Sequence, residues 1–175
     1  MGTYNCPDKF SQTQEDNHIY INIKMNWFEC KVSYEKTADT GLTKKVVESY
    51  LVDALSFTEA EARIIKEVTP FVSMGEFNVN NIKRAKIAEL FTSANETEDR
   101  YYRAKVLYIT LDEKTATEKK TPATMVVQAS SLETAVKRLI EEMNKGMATY
   151  EIASITDTNI IDIYPFEGNL KEVSR

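Results

Sequence analysis

From Trp27 to Tyr34 apolar and polar side chains alternate, with Phe28, Cys30, Val32 and Tyr34 on one side and Trp27, Glu29, Lys31 and Ser33 on the other. That two-residue period predicts a strand with one covered face. Tyr101 to Tyr108 repeats the pattern and places Tyr102, Ala104, Val106 and Tyr108 inward. Thr40-Gly41 supplies a turn, and Tyr50, Val52 and Ala54 continue a returning strand, so the opening elements read as a hairpin. The period then lengthens to that of a helix: Phe57, Ala60, Ile64 and Val68 share one face, as do Leu132, Ala135, Leu139 and Met143. Ser56-Phe-Thr-Glu59 and Ser130-Ser-Leu-Glu133 both fit a capping box. Thr69-Pro70 should end the first helix and Gly146 the second, the glycine through a left-handed cap. After each helix the apolar phase of a long strand-like segment slips, between Val79 and Ile82 and again between Ile155 and Ile160. A bulge, or a break into two strands, would produce the slip.

These blocks recur in one order. WFECKVSYEK lies over YYRAKVLYIT, YLVDALSFTEAEARIIKEV over MVVQASSLETAVKRLIEEM, and FNVNNIKRAKIAELF over YEIASITDTNIIDIY, with identities that include Ser56/Ser131, Arg63/Arg138 and Ile87/Ile160. The spacing of roughly 74 residues is too long for a solenoid, whose units run about 20 to 50. The expected fold class is therefore α+β: a tandem duplication of a β-β-α-β or β-β-α-β-β unit, with antiparallel sheets and one helix per copy. The copies would share one core about a pseudo-twofold axis. The chain divides into an N-terminal arm (1–24), a first copy (25–91), an acidic linker (92–99), a second copy (100–167) and a tail (168–175). His18 to Ile23 could make at most one short edge strand.

Charge changes this picture little. The net charge is −5, but each copy is close to neutral and the linker carries Glu96, Glu98 and Asp99, so the bodies offer no strongly basic surface. Two cysteines without a CxxC spacing point to a reduced, cytosolic setting. Cys30, inward on a strand, reads as a core thiol. No basic start with a long apolar run suggests a secretory signal, and no apolar run reaches the roughly 18 residues of a membrane span. The single histidine, His18, falls in the arm, and the sequence has no GxGxxG, P-loop or HExxH pattern. The expectation is a non-enzymatic protein without cofactor or metal.

The chemistry left to consider lies on the outward face of the two opening strands. Trp27 and Lys31 share that face in the first copy, and Tyr101, Arg103 and Lys105 share it in the second. Aromatic rings beside cations on a sheet suit single-stranded DNA or RNA, whose bases stack while phosphates meet the positive charge. The competing reading makes Trp27 and Tyr101 interface core, covered by the other copy or a second subunit. Lys83, Arg84 and Lys86 form a basic run in the first copy alone, which a solvated, charge-protected edge explains.

The segments MNWFECKVSYEK, SYLVDALSFTEAEARIIKEVTPF, IKRAKIAELF and YEIASITDTNIIDIYPFE resemble an uncharacterised domain-of-unknown-function family of gut Bacteroidetes and their phages. The resemblance covers about Met25 to Glu167 and carries no catalytic residues; it implies the host cytoplasm if the chain is phage-encoded. If the segments after the helices break in two, Phe77 through the second helix reads β-β-β-β-α. That order is similar to units of the Whirly and PUR classes, which bind single-stranded nucleic acid as paired copies. The leading expectation is single-stranded nucleic-acid binding through Trp27, Lys31, Tyr101, Arg103 and Lys105. A protein-interaction or assembly module, either a homodimer or a phage-encoded inhibitor, is the first alternative. A small-molecule binder with its pocket between the copies is the second.

Overall fold

The computed structural model describes residues 26–72 and 74–166. The expected arm and tail, and with them His18 and the edge strand at His18 to Ile23, lie outside the described residues. The chain opens with β1 (Trp27–Thr37) and β2 (Thr43–Asp53), an antiparallel hairpin in which Trp27 lies opposite Asp53 and Thr37 opposite Thr43. Gly41 supplies the turn at φ 80°, a left-handed conformation that a side chain disfavours. Helix α1 (Phe57–Val68) follows, ending in a 3-10 turn over Thr69–Phe71, and then come β3 (Met74–Ala85) and the short β4 (Glu89–Phe91). The second half runs through the same order: β5 (Arg100–Asp112), β6 (Thr117–Ala129), α2 (Leu132–Asn144), β7 (Tyr150–Asp157) and β8 (Ile160–Tyr164).

The fold is α+β, with two four-stranded sheets of order β3-β1-β2-β8 and β4-β6-β5-β7. Most pairings are antiparallel as expected. The exceptions are the edges: β8 joins β2 in parallel and β4 joins β6 in parallel, so each half sends its last strand into the other half's sheet. The anticipated phase slips have two separate causes. The register of β3 against β1 jumps from Asn81 to Val79, and that of β7 against β5 from Ser154 to Ile152, leaving Asn80 and Ala153 as bulged residues. The bulge lets Phe77, Val79 and Ile82 all pack toward α1, and Tyr150, Ile152 and Ile155 toward α2. A true break then separates β3 from β4 and β7 from β8, at the point where the chain crosses between sheets.

Three apolar clusters define the layers. Phe28, Cys30, Val32, Tyr34 and Val52 pack against Ala60, Ile64 and Val68 of α1, and Tyr102, Ala104, Val106 and Val127 against Ala135, Leu139 and Met143 of α2. The third cluster joins the opposite faces of the two sheets through Trp27, Leu51, Tyr101, Val126, Ile160 and Ile163. The order is helix, sheet, sheet, helix. Complete burial of one such side chain contributes about 1.5–3 kcal/mol, so the middle cluster is a substantial part of what holds the sheets together.

The helix termini depart from the expected boxes in one half. At α1 the Ser56 hydroxyl accepts from the Glu59 backbone N–H at 3.2 Å, and the Glu59 carboxylate accepts from the Leu55 N–H at 2.8 Å. At α2 the cap is Ser131, not Ser130; it accepts from the Thr134 N–H at 3.2 Å, and Glu133 turns instead to Lys137 at 2.9 Å. The box is absent there because the third helical position holds threonine, whose side chain is too short to reach back. Ser131→Ala should therefore cost α2 about 1 kcal/mol, read as a lower urea midpoint with an unchanged slope. Nor does Gly146 take the left-handed cap. Lys145 and Gly146 tighten the last turn through bonds from their N–H groups to the carbonyls of Glu142 and Met143, both 3.2 Å, which a negative φ permits.

Helix arginines fasten the exchanged strands. Arg63 donates to the carbonyl of Asp53, at the end of β2, and at 3.0 Å to that of Pro165, just past β8. Arg138 donates to the carbonyl of Gln128, near the end of β6, and at 2.6 Å to the Glu98 carboxylate in the connection after β4. In both halves one guanidinium thus ties a host strand to the segment that follows its guest.

Candidate functional site between the sheets

The inner sheet faces are apolar only where they meet. Two residues along from Trp27 stands Glu29 and then Lys31; two along from Tyr101 stands Arg103 and then Lys105. On the flanking strands Lys83 lies opposite Glu29, Asn81 opposite Lys31, Thr156 opposite Arg103 and Ser154 opposite Lys105. The result is a polar cleft of about 320 Å³ lined by Glu29, Lys31, Asn81, Lys83, Arg103 and Thr156 among others. Arg103 reaches across the cleft to Glu29 at 3.1 Å. Among the described residues, Lys31 and Lys83 have no ion-pair partner. The lining thus sets Lys31, Lys83 and Arg103 against the carboxylates of Glu29 and Asp157, an excess of one positive charge, with Asp157 also paired to Arg100 at 3.2 Å.

The five residues singled out from the sequence separate into two groups. Trp27 and Tyr101 are 5% and 6% exposed and lie in the cluster joining the sheets. In this arrangement neither ring presents a free face for a base. The Tyr101 hydroxyl donates to Asp162 at 3.3 Å, and burial, reinforced by the neighbouring Asp162 charge, pushes its pKa up. Lys31 and Arg103 line the cleft, whereas Lys105 is exposed on β5 beyond it. Alternation alone does not single out Asn81 and Thr156, and it reads Lys83 as edge protection. The bulge at Asn80 decides which side of β3 Lys83 faces, and the alternation signalled a slip without locating it.

Other titratable groups serve the core. Tyr34 and Tyr50 both donate to one oxygen of Glu48 at 2.6 Å, with the Tyr164 ring stacked on Tyr50 at 5.7 Å between centroids. Burial raises all three phenols, Tyr164 to about 12, so Tyr34 and Tyr50 stay protonated as the donors to Glu48. Burial also pushes the Cys30 thiol up to about 12, and a thiol so held is a poor nucleophile at neutral pH. Among the described residues no group of three or more His, Cys, Asp or Glu side chains is placed to hold a metal ion. No helix among them is long and apolar enough to cross a membrane.

A family model described as Domain of unknown function (DUF4494) matches residues 26–166. The chain belongs to the DUF4494 family. The match begins at the residue before β1 and ends two residues past β8, so it spans both sheets, both helices and the cleft. No curated protein and no solved structure matches this DUF4494 chain.

Proposed function

We propose that this DUF4494 protein is a non-catalytic binding protein and that the polar cleft between its sheets takes a compact phosphate-bearing small molecule. The observation that carries the reading is the convergence of Lys31 from β1, Lys83 from β3 and Arg103 from β5 on one cleft that also holds Glu29 and Asp157, with neither lysine in an ion pair among the described residues. Lysine binds phosphate as a point charge, and the Asn81 amide and Thr156 hydroxyl add neutral donors suited to the remaining oxygens. Hydrogen bonds to charged groups contribute about 1.5–3 kcal/mol each, so three of them correspond to a Kd between about a millimolar and a micromolar. Burial of Trp27 and Tyr101 weighs against single-stranded nucleic acid, because base stacking is a main source of that affinity. In the same reading the two halves descend from one duplicated unit, supported by matching bulges, exchanged strands and clasping arginines. The proposed setting is the cytoplasm, as cysteine usage suggests, and the host cytoplasm if the chain is phage-encoded.

Calorimetric titration with ribose 5-phosphate and with inorganic phosphate tests this, alongside a labelled single-stranded oligonucleotide at low and high salt. Saturable binding of the sugar phosphate is expected, weakened about tenfold or more by Lys31→Ala/Lys83→Ala with no loss of melting temperature. Absence of heat with both phosphates, or a double variant that binds like the parent, would sink the reading. Tight oligonucleotide binding with a steep salt dependence would replace it with the nucleic-acid one.

A further inference from the structure

The crossovers from β3 to β4 and from β7 to β8 each run beside a groove. The first is lined by Asn26, Arg84, Lys86, Ile87, Ala88 and Ala123 among others, the second by Arg100, Asp157, Asn159, Ile160, Ile161 and Val47 among others. Their positions correspond. Arg84 lies opposite Phe28 in β1 and Asp157 opposite Tyr102 in β5, while Asn26 precedes Trp27 as Arg100 precedes Tyr101.

Their charges do not. In the second groove Arg100 and Asp157 close on each other at 3.2 Å. In the first, asparagine holds the arginine's place and arginine the aspartate's, so the carboxylate is gone and a guanidinium stands there, with Lys86 where the other groove has Asn159. Neither Arg84 nor Lys86 has an ion-pair partner among the described residues, and both are exposed. Arg84 rests 5.6 Å from the centroid of the Phe28 ring, which holds it in place and leaves its charge unneutralised. The floor is mostly apolar: Ala85, Ile87, Ala88, Pro122 and Ala123, with Thr124 among them.

We propose that the groove beside the first crossover binds an acidic peptide segment of a partner protein, whose side-chain carboxylates pair with Arg84 and Lys86 while small apolar side chains rest on the floor. The matching groove names the chemistry, since there the chain supplies the carboxylate itself. The space, about 560 Å³, exceeds what one carboxylate fills, and the apolar floor suits the residues between charges rather than a bare inorganic anion. This surface is separate from the cleft assigned to the phosphate-bearing ligand.

Fluorescence anisotropy with the full chain and a short fluorescein-labelled peptide alternating glutamate and leucine tests the assignment. Saturable binding is expected, weakened about tenfold or more by Arg84→Glu/Lys86→Glu. Asn26→Arg/Arg84→Asp, which rebuilds the internal pair of the second groove, should abolish binding while the thermal melt stays that of the parent. Lys31→Ala/Lys83→Ala should leave peptide binding unchanged, so failure of the cleft reading and failure of this one are told apart. The proposal is overturned by no saturable binding, by equal binding of a glutamine-leucine peptide, by binding that survives both charge variants, or by displacement of the peptide with inorganic phosphate or an oligonucleotide.

Discussion

Trp27→Ala should unfold at a much lower urea concentration than the parent, with a stability loss of about 3–5 kcal/mol. The indole is 5% exposed and fills the contact between the two sheets with Leu51, Tyr101, Val126, Ile160 and Ile163. Its removal takes away the largest side chain of that cluster and leaves a cavity bounded by strands on both sides, which have little freedom to collapse. At roughly 2–4 °C per kcal/mol for a chain of this size, the midpoint should fall by about 6–20 °C. Trp27→Phe, which keeps most of the volume, should lose far less. A chemical denaturation series on the three proteins decides the matter. If the indole were instead a stacking platform on the surface, truncation would leave the midpoint within about 0.5 kcal/mol of the parent.

The second large effect belongs to Arg138. Its guanidinium meets the Glu98 carboxylate at 2.6 Å with side chains only 22% and 8% exposed, and it also serves the Gln128 carbonyl and, at 3.3 Å, Ser93. Hydrogen bonds from Ser93 and Arg138 hold the Glu98 carboxyl below its ordinary value of 4.5. A carboxylate depressed in the folded state contributes stability that is fully present above the unfolded value and is lost as pH falls through the folded one. Arg138→Met leaves that carboxylate buried without its countercharge, and a loss of about 3 kcal/mol at pH 7 is expected. The acid side separates this pair from a merely structural contact. The parent should lose stability as pH drops below 4.5, whereas the variant, relieved of a buried charge on protonation, should lose less, so the gap narrows. Urea midpoints near neutral pH and near about pH 3 measure it; a gap that stays constant would show that Glu98 contributes nothing.

How far these sites could be read in advance depends on what each residue's neighbours in sequence reveal. Alternation through Phe28, Cys30, Val32 and Tyr34 and the helical spacing of Ala60, Ile64 and Val68 are local properties, and the elements they imply are present. The fate of Trp27 is not local. Both faces of β1 are covered at its first residues, one by α1 and the other by the second sheet, and a two-residue period reads the same whether the second face meets solvent or protein. The polar side chains of Glu29 and Lys31 on β1 mark where the sheets part, but only with the opposing Arg103 in view does that become a cleft. The destination of β8 was equally hidden. Ile160 to Tyr164 is a short apolar run able to join either sheet, and its parallel partner β2 is more than a hundred residues away in the chain. The shift of the second cap from Ser130 to Ser131 followed from two adjacent serines with equal capping ability.

The reciprocal exchange of β4 and β8 also constrains how this chain can vary. The stretches 86–88 and 158–159 are short bridges whose lengths set the register of a strand in the opposite sheet, so an inserted residue in either would displace pairing on the far side of the molecule. A change in one half is thus felt in the other, and the grooves beside the two bridges differ in charge, Arg84 lining one and Asp157 the other.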